Sequence, residues 1–228
     1  MGSEGYHFKT LGVEAIEDVM EFIREFFNDR EPLSVMLDLC PFGYRIPAQQ
    51  QEYEGYLKKN LSLGIFNSNE ELIGITIVNG SIKDDNKEED ECVLNNNKCQ
   101  CSASPEKFKI LNKFLYDLET NYGNEKDIYK LLKANKIMEV LILGIKPSYG
   151  HKGLGTMLMR ECEKNAQKMG FEILKCVGTS LFTQKICSKE GFKSLYRIKY
   201  ENYEMNGKKV FKKDCGVHKD AVMFYKRL

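Results

Sequence analysis

Ile137-Met138-Glu139-Val140-Leu141-Ile142-Leu143-Gly144-Ile145 runs through Lys146-Pro147-Ser148-Tyr149 into Gly150-His151-Lys152-Gly153-Leu154-Gly155, and this stretch decides the fold. Its first part is a short apolar run of the kind that makes a buried strand. Beyond the glycines, Leu154, Leu158, Cys162, Ala166 and Met169 recur at spacings of three and four, the period of an amphipathic helix laid on a sheet. Gly170 stands where a C-cap glycine would. Strand, glycine turn and helix together make an anion site. Unpaired N–H groups and the positive dipole end of the helix face the turn, glycines let the backbone come close, and Lys152 adds a fixed charge. The turn is not a P-loop, because no Lys-Ser/Thr pair follows the last glycine. A dinucleotide fingerprint would sit on an earlier strand with an acidic partner downstream. Gly144, inside the strand, marks a bulge or a close backbone approach.

Downstream, residues 171–177 read as a second buried strand, Gly178-Thr179-Ser180-Leu181-Phe182-Thr183 as the entry to a helix closing at Glu190-Gly191-Phe192, and residues 193–200 and 221–226 as further strands. The order β-α-β-α-β predicts a mixed α/β sheet with helices on both faces. Upstream, residues 6–11 read as an opening strand. Ile16, Val19, Met20, Ile23, Phe26 and Phe27 keep one apolar helix face, which must end near Glu31 because the residue before Pro32 is pushed out of the α region. The following apolar stretch, residues 33–39, and a turn-rich loop holding Cys40, Phe42 and Tyr44 are candidates to line a pocket. A helix over about 48–60, a hairpin over 62–82 turning at Ser68-Asn69-Glu70, a helix opened by Pro105 and a short helix over 125–134 complete the pattern. Residues 83–104 are acidic, Asn-rich and aperiodic, so they read as a polar surface insertion within one domain spanning 1–228.

With 34 basic and 33 acidic residues in 228, the chain lacks the excess positive charge of a nucleic-acid binder. No apolar run is long enough to span a membrane and no basic-then-apolar leader is present, so a soluble, cytoplasmic and monomeric protein is expected. Tyr6 stands where a myristoylation signal at Gly2 needs Ser or Thr. Eight scattered cysteines fit reduced core thiols, and Cys92, Cys99 and Cys101 lack a fourth ligand nearby, so no metal is expected.

The central run resembles the acetyl-CoA motif of the GNAT N-acetyltransferase superfamily, Q/R-x-x-G-x-G/A, with Gly153, Leu154 and Gly155 at its last three positions. Gly150 departs from it, standing where the family has Gln or Arg. The resemblance implies that acetyl-CoA is bound by the amides of residues 152–156, beside Gly150 and His151. It also implies that the strand end Leu143, Gly144 and Ile145 pairs with the pantetheine arm, between central strands splayed at a bulge in a mostly antiparallel sheet. Lys189-Glu190-Gly191-Phe192 is similar to the family's Lys-x-Gly-Phe helix ending. The match narrows to the insect arylalkylamine N-acetyltransferases, the dopamine N-acetyltransferase type. It is carried by Phe26-Phe27-Asn28-Asp29-Arg30-Glu31-Pro32-Leu33 with Leu37-Asp38-Leu39, by residues 142–159, and by residues 179–192 with Tyr196, Arg197 and Tyr203.

In that family the glutamate of the Glu-Pro-Leu element is the proposed general base, which carries over to Glu31. The chemistry needs one: a primary alkylamine with a pKa of about 10 is a free nucleophile in roughly one molecule per thousand near pH 7, a penalty of about 4 kcal/mol. A carboxylate beside apolar residues takes that proton, an effect of ~10²- to 10⁴-fold. Two catalytic serines of the insect enzymes correspond to Thr179 and Thr183, which keep their hydroxyls. Cys187 occupies the place of the tyrosine that protonates the departing thiolate in many GNAT enzymes. The implied reaction is direct attack of an arylalkylamine (dopamine, octopamine, tryptamine or serotonin type) on acetyl-CoA. A backbone N–H near Gly144 or Ile145 serves the oxyanion, and Phe42, Tyr44, Phe182 and His218 line the amine site. Polyamine or agmatine acetylation, or a non-catalytic acyl-CoA-binding module, are the alternatives left open.

Overall fold

The computed structural model describes residues 5–39, 47–83, 105–121, 123, 125 and 127–228. The elements in order are β1 (His7–Leu11), α1 (Ile16–Phe22) running into a π-helical turn (Ile23–Phe27), α2 (Pro32–Leu37), α3 (Pro47–Leu57), β2 (Ser62–Phe66) and β3 (Leu72–Ile82). They continue as α4 (Pro105–Thr120), α5 (Ile128–Leu132), β4 (Lys136–Ile145), α6 (Leu154–Lys168), β5 (Ile173–Gly178), α7 (Leu181–Lys189), β6 (Lys193–Lys199), the small ladder β7 (Glu204–Met205) with β8 (Lys208–Lys209), and β9 (Asp220–Arg227). The seven-stranded sheet has the order β1-β2-β3-β4-β5-β9-β6. It is the expected mixed, mostly antiparallel sheet: β4 and β5 form a parallel pair, and the other pairs are antiparallel.

That parallel pair is short. Ile137, Met138, Glu139 and Val140 pair with Ile173, Leu174, Lys175 and Cys176, and there the ladder stops, although β4 runs on to Ile145 and β5 to Gly178. β4 stays paired with β3 as far as Ile145–Gly74, and β5 with β9 as far as Gly178–Val222, so the two strands diverge from each other while each keeps its outer neighbour. The bulge responsible lies one turn earlier than Gly144. Ile77 and Val78 face Ile142 and Val140, leaving Leu141 as the extra residue, whereas Gly144 sits in register with Ile75.

Burial follows two faces. Leu154, Leu158, Cys162 and Ala166 of α6 pack with Cys187 of α7 on Leu63, Ile65, Val78, Met138, Val140, Leu174 and Cys176. Met169, expected on this apolar stripe, is 51% exposed at the helix end, where Gly170 takes a φ of +74°. On the other face, Val19, Phe22, Ile23 and Leu57 of α1, the π-turn and α3 cover Ile75, Ile77 and Ile142, while Leu33, Met36, Leu37, Phe114 and Leu118 of α2 and α4 cover Ala221 and Met223. The chain therefore passes from the first cluster to the second at residues 28–31, over the opening between β4 and β5. Of residues 33–39, a candidate pocket lining, 33–37 belong to α2, and Leu33, Met36, Leu37 and Leu39 are buried in the core.

A charged triad lies under α4, its lysine buried and its two carboxylates half-buried. Lys175, 7% exposed, meets Glu119 at 2.9 Å and Glu139 at 3.0 Å across the β4–β5 pair. Burial pushes the Glu139 carboxyl up to about 7 against the pull of Lys175. Removing the lysine leaves two carboxylates without a cation. Lys175→Met is expected to lose about 3–5 kcal/mol of stability at pH 8 by urea denaturation. The loss should shrink at pH 5, because a carboxyl raised in the folded state is stabilised by protonation as pH falls.

Candidate active site

The turn after β4 is built for close approach. Pro147 opens a single tight turn, His151 and Gly153 take left-handed backbones at φ +61° and +79°, and Gly153 caps the N-terminus of α6. Nothing would meet a Cβ at Gly153, so its glycine answers to conformation rather than space. A Cβ at Gly150 would lie 3.1 Å from the Pro147 carbonyl oxygen, and one at Gly155 only 2.9 Å from the tip of Ile186 on α7. The first-turn N–H groups of α6, Leu154, Gly155 and Thr156, have no acceptor within the helix. Lys152 holds its ammonium 5.2 Å from the Tyr149 ring centre, and Asn67 donates to the Tyr149 hydroxyl at 2.8 Å. The Lys146 N–H bonds the Ile73 carbonyl of β3 at 2.8 Å. Alternation along the strand then turns the N–H groups of Leu143 and Ile145, not that of Gly144, toward the gap.

Glu31 sits where the chain crosses that gap. It is not simply a helix exit: it is the N-cap of α2, its Oε2 accepting the Ser34 N–H at 2.6 Å with Pro32 at the first helical position. Its Oε1 is buried and has no hydrogen-bond partner among the described residues. The Glu31 charge reaches three other groups. It adds to the burial that raises the Tyr200 hydroxyl and the Cys215 thiol, and it opposes the burial that lowers His218. The Cys215 thiol points back at the Pro32 carbonyl, 3.9 Å away, which ties the loop before β9 to this crossing.

The third wall is the turn after β5. Ser180, not Thr179, caps α7: its Oγ accepts the Thr183 N–H at 3.1 Å and lies 3.0 Å from the Thr183 hydroxyl. Thr179 contributes its carbonyl, which takes the Tyr200 hydroxyl at 2.7 Å. Gln184, 8% exposed, donates to the carbonyls of Gly178 and Asp220 and to Asp220 Oδ1, locking the turn to β9. His218 Nδ1 accepts the Leu181 N–H at 3.0 Å, so its neutral form carries the proton on Nε2. The His218 ring meets the Phe182 ring edge-on at 5.5 Å. Phe182 and Val217 are 57% and 58% exposed.

No protein-family model matches the chain. Among solved structures, arylalkylamine N-acetyltransferase 2 from Aedes aegypti superposes with a TM-score of 0.85 at 26% identity, over 98% of this chain and 99% of that one. The chain has the GNAT fold. It resembles the insect arylalkylamine N-acetyltransferases. A mosquito arylalkylamine N-acetyltransferase-like 5b matches at TM-score 0.77 and 18% identity, over 98% of this chain and all of that one (100%). The Drosophila melanogaster polyamine N-acetyltransferase that forms N-acetylagmatine matches at 0.79 and 15%, over 98% and 100%.

Within this GNAT frame, the strand end, the glycine turn and the first turn of α6 are contiguous, while Glu31, Thr183, Phe182 and His218 gather around residues 28–31 and the turn after β5. Phe42 and Tyr44 lie outside the described residues, as do Cys40, Cys92, Cys99 and Cys101. Cys187 is 0% exposed and shares a hydrogen bond with Cys176, which raises the Cys176 thiol. Ser180, Gln184 and Tyr200 escaped the sequence reading. Ser180 carried a signal, since Ser is a strong N-cap residue and stands beside Thr179, but Gln184 gains Asp220 only through the placement of β9 beside β5, and Tyr200 reaches the Thr179 carbonyl from 21 residues away.

The Leu181 N–H fixes the tautomer of His218, and Glu31 supplies the opposing charge. In an NMR titration the His218 midpoint is expected below the usual 6.5. It should fall further in Glu31→Gln, which removes a charge that favours the imidazolium.

Proposed function

We propose that the chain is an acetyl-CoA-dependent N-acetyltransferase, one domain over residues 1–228, that acetylates the primary amine of a small arylalkylamine. The observation that carries this reading is the buried Oε1 of Glu31, which has no hydrogen-bond partner among the described residues and belongs to the crossing over the gap where β4 and β5 part. A buried carboxylate oxygen without a partner is costly, and an ammonium or a proton on nitrogen supplies what it lacks.

The residues fit acetyl-CoA. Leu143 and Ile145 offer N–H groups along an unpaired strand edge, and Gly150, His151, Lys152, Gly153, Leu154, Gly155 and Thr156 form the turn and helix start suited to a pyrophosphate. Acetyl-CoA supplies an activated acetyl thioester. Glu31 attracts the cationic amine and takes its proton, directly or through a water. The amine nitrogen then bonds to the acetyl carbon, the carbon–sulfur bond breaks, and the second proton of the nitrogen passes through solvent to the departing CoA thiolate, leaving a neutral amide and CoA thiol. The Ile145 N–H, which faces the gap, would serve the developing oxyanion. Direct transfer is favoured because Cys176 and Cys187 are buried, at 1% and 0% exposure, and the Cys176 thiol is raised, which suits neither to act as an acyl acceptor. Ser180 and Thr183 form a hydrogen-bonded hydroxyl pair in the turn after β5 that could carry a proton.

Phe182 and Val217 favour an aromatic amine. They present apolar surface next to His218, and a ring stacked there would regain the burial they lack. A polyamine would need a second free carboxylate, and Asp220, which borders the same turn, is already engaged by Gln184 and Arg197.

The test is CoA release with arylalkylamines and polyamines, wild type beside Glu31→Gln. Glutamine keeps an oxygen to cap α2, so a loss of about 10²- to 10⁴-fold in kcat/KM with unchanged acetyl-CoA affinity is the expected result. Turnover that prefers polyamines would move the substrate class. Tight acetyl-CoA binding without turnover of any amine would leave an acyl-CoA-binding module.

A further inference from the structure

Residues five apart in an α-helix lie about 140° from each other around the axis, so Phe22 and Phe27 in a regular helix would not reach the same point on the sheet. The π-turn changes that. The Asn28 N–H bonds the Ile23 carbonyl five residues back at 2.9 Å, and the wider turn draws the two rings together. They converge on Gly144: a Cβ there would lie 3.0 Å from Phe22 Cε1 and 3.6 Å from Phe27 Cδ2. Phe22 is 2% exposed and fixed in the core, whereas Phe27 is only half-buried. The Phe27 carbonyl takes the N–H of Glu31 at 2.9 Å and that of Arg30 at 3.0 Å, so ring and carboxylate are held one hydrogen-bonded turn apart.

We infer that Phe27, seated over Gly144 by the π-turn, restricts the acyl donor to short chains. The inference rests on the acetyl-CoA reading above. A thioester held by the N–H groups of Leu143 and Ile145 has Gly144 between its two anchors, and Phe27 is the half-buried ring above that glycine. Each methylene beyond acetyl has to displace the ring, and one methylene in a close-fitting site is worth roughly tenfold or more in discrimination.

The experiment is calorimetric binding of acetyl-, butyryl- and hexanoyl-CoA to wild type, Phe27→Leu and Phe27→Ala, with a thermal melt of each. The wild type is expected to bind acetyl-CoA at least tenfold more tightly than hexanoyl-CoA. Phe27→Ala should close that ratio by about tenfold, with Phe27→Leu between; if the alanine variant melts early, the leucine variant carries the comparison. Equal wild-type affinity for all three, or a ratio unmoved by either substitution while acetyl-CoA still binds tightly, would overturn the gate and leave the acetyltransferase reading standing. Failure of the wild type to bind acetyl-CoA would overturn both.

Discussion

A parallel pair of central strands that stops after four rungs leaves backbone donors and acceptors facing each other across a gap in the middle of the sheet. Buried peptide groups demand partners. β4 cannot find them in β3, which already holds its other edge, nor β5 in β9. Such a gap suits a molecule with amide groups of its own, and the rest of the architecture surrounds it: a helix N-terminus with its first-turn N–H groups at one end, and a polypeptide crossing with a buried carboxylate oxygen over the top. The Leu141 bulge is the local cause. One extra residue in β4 bends that strand away from β5 without costing it the ladder to β3.

The two faces of the sheet divide the labour. α6 and α7 give a continuous apolar floor that holds the glycine turn in place, with Gly155 allowing Ile186 to close within contact distance. The opposite face is split between two clusters, and the seam between them is where Glu31 comes within electrostatic reach of Tyr200, Cys215 and His218. A polar group survives at such a seam because neither core has to close over it.

Local patterns were legible in the sequence and long-range ones were not. Residues 137–170 announced strand, turn and helix because each signal, the apolar run, the glycines and the four-residue recurrence, lies within a few positions of the next. Glu31 was placed at a boundary by Pro32 alone, but that the boundary belongs to α2 depends on Ser34 donating to it. The π-turn left no mark, since Phe22, Phe26 and Phe27 read equally well as an ordinary helix face. Gly144 drew attention as a bulge, yet its smallness answers to two rings packed above it while Leu141 carries the bulge. Lys175 looked like any strand lysine because Glu119 and Glu139, its partners, lie 56 and 36 residues away by number. The assignment of Glu31 as a base came from family resemblance, and the buried oxygen gives it an independent physical footing.

Strand order sets a schedule for making the protein. β9 follows β6 in the chain but lies between β5 and β6 in the sheet, and His218 immediately precedes it. On the ribosome, the antiparallel run from β1 to β4 can zip as it emerges, whereas β5 and β6 must wait side by side with a vacant place between them until residues 220–227 arrive. The half of the sheet that ends at Glu31's neighbours is thus the last to close, so a nascent chain can carry a formed glycine turn well before it carries a formed reaction chamber.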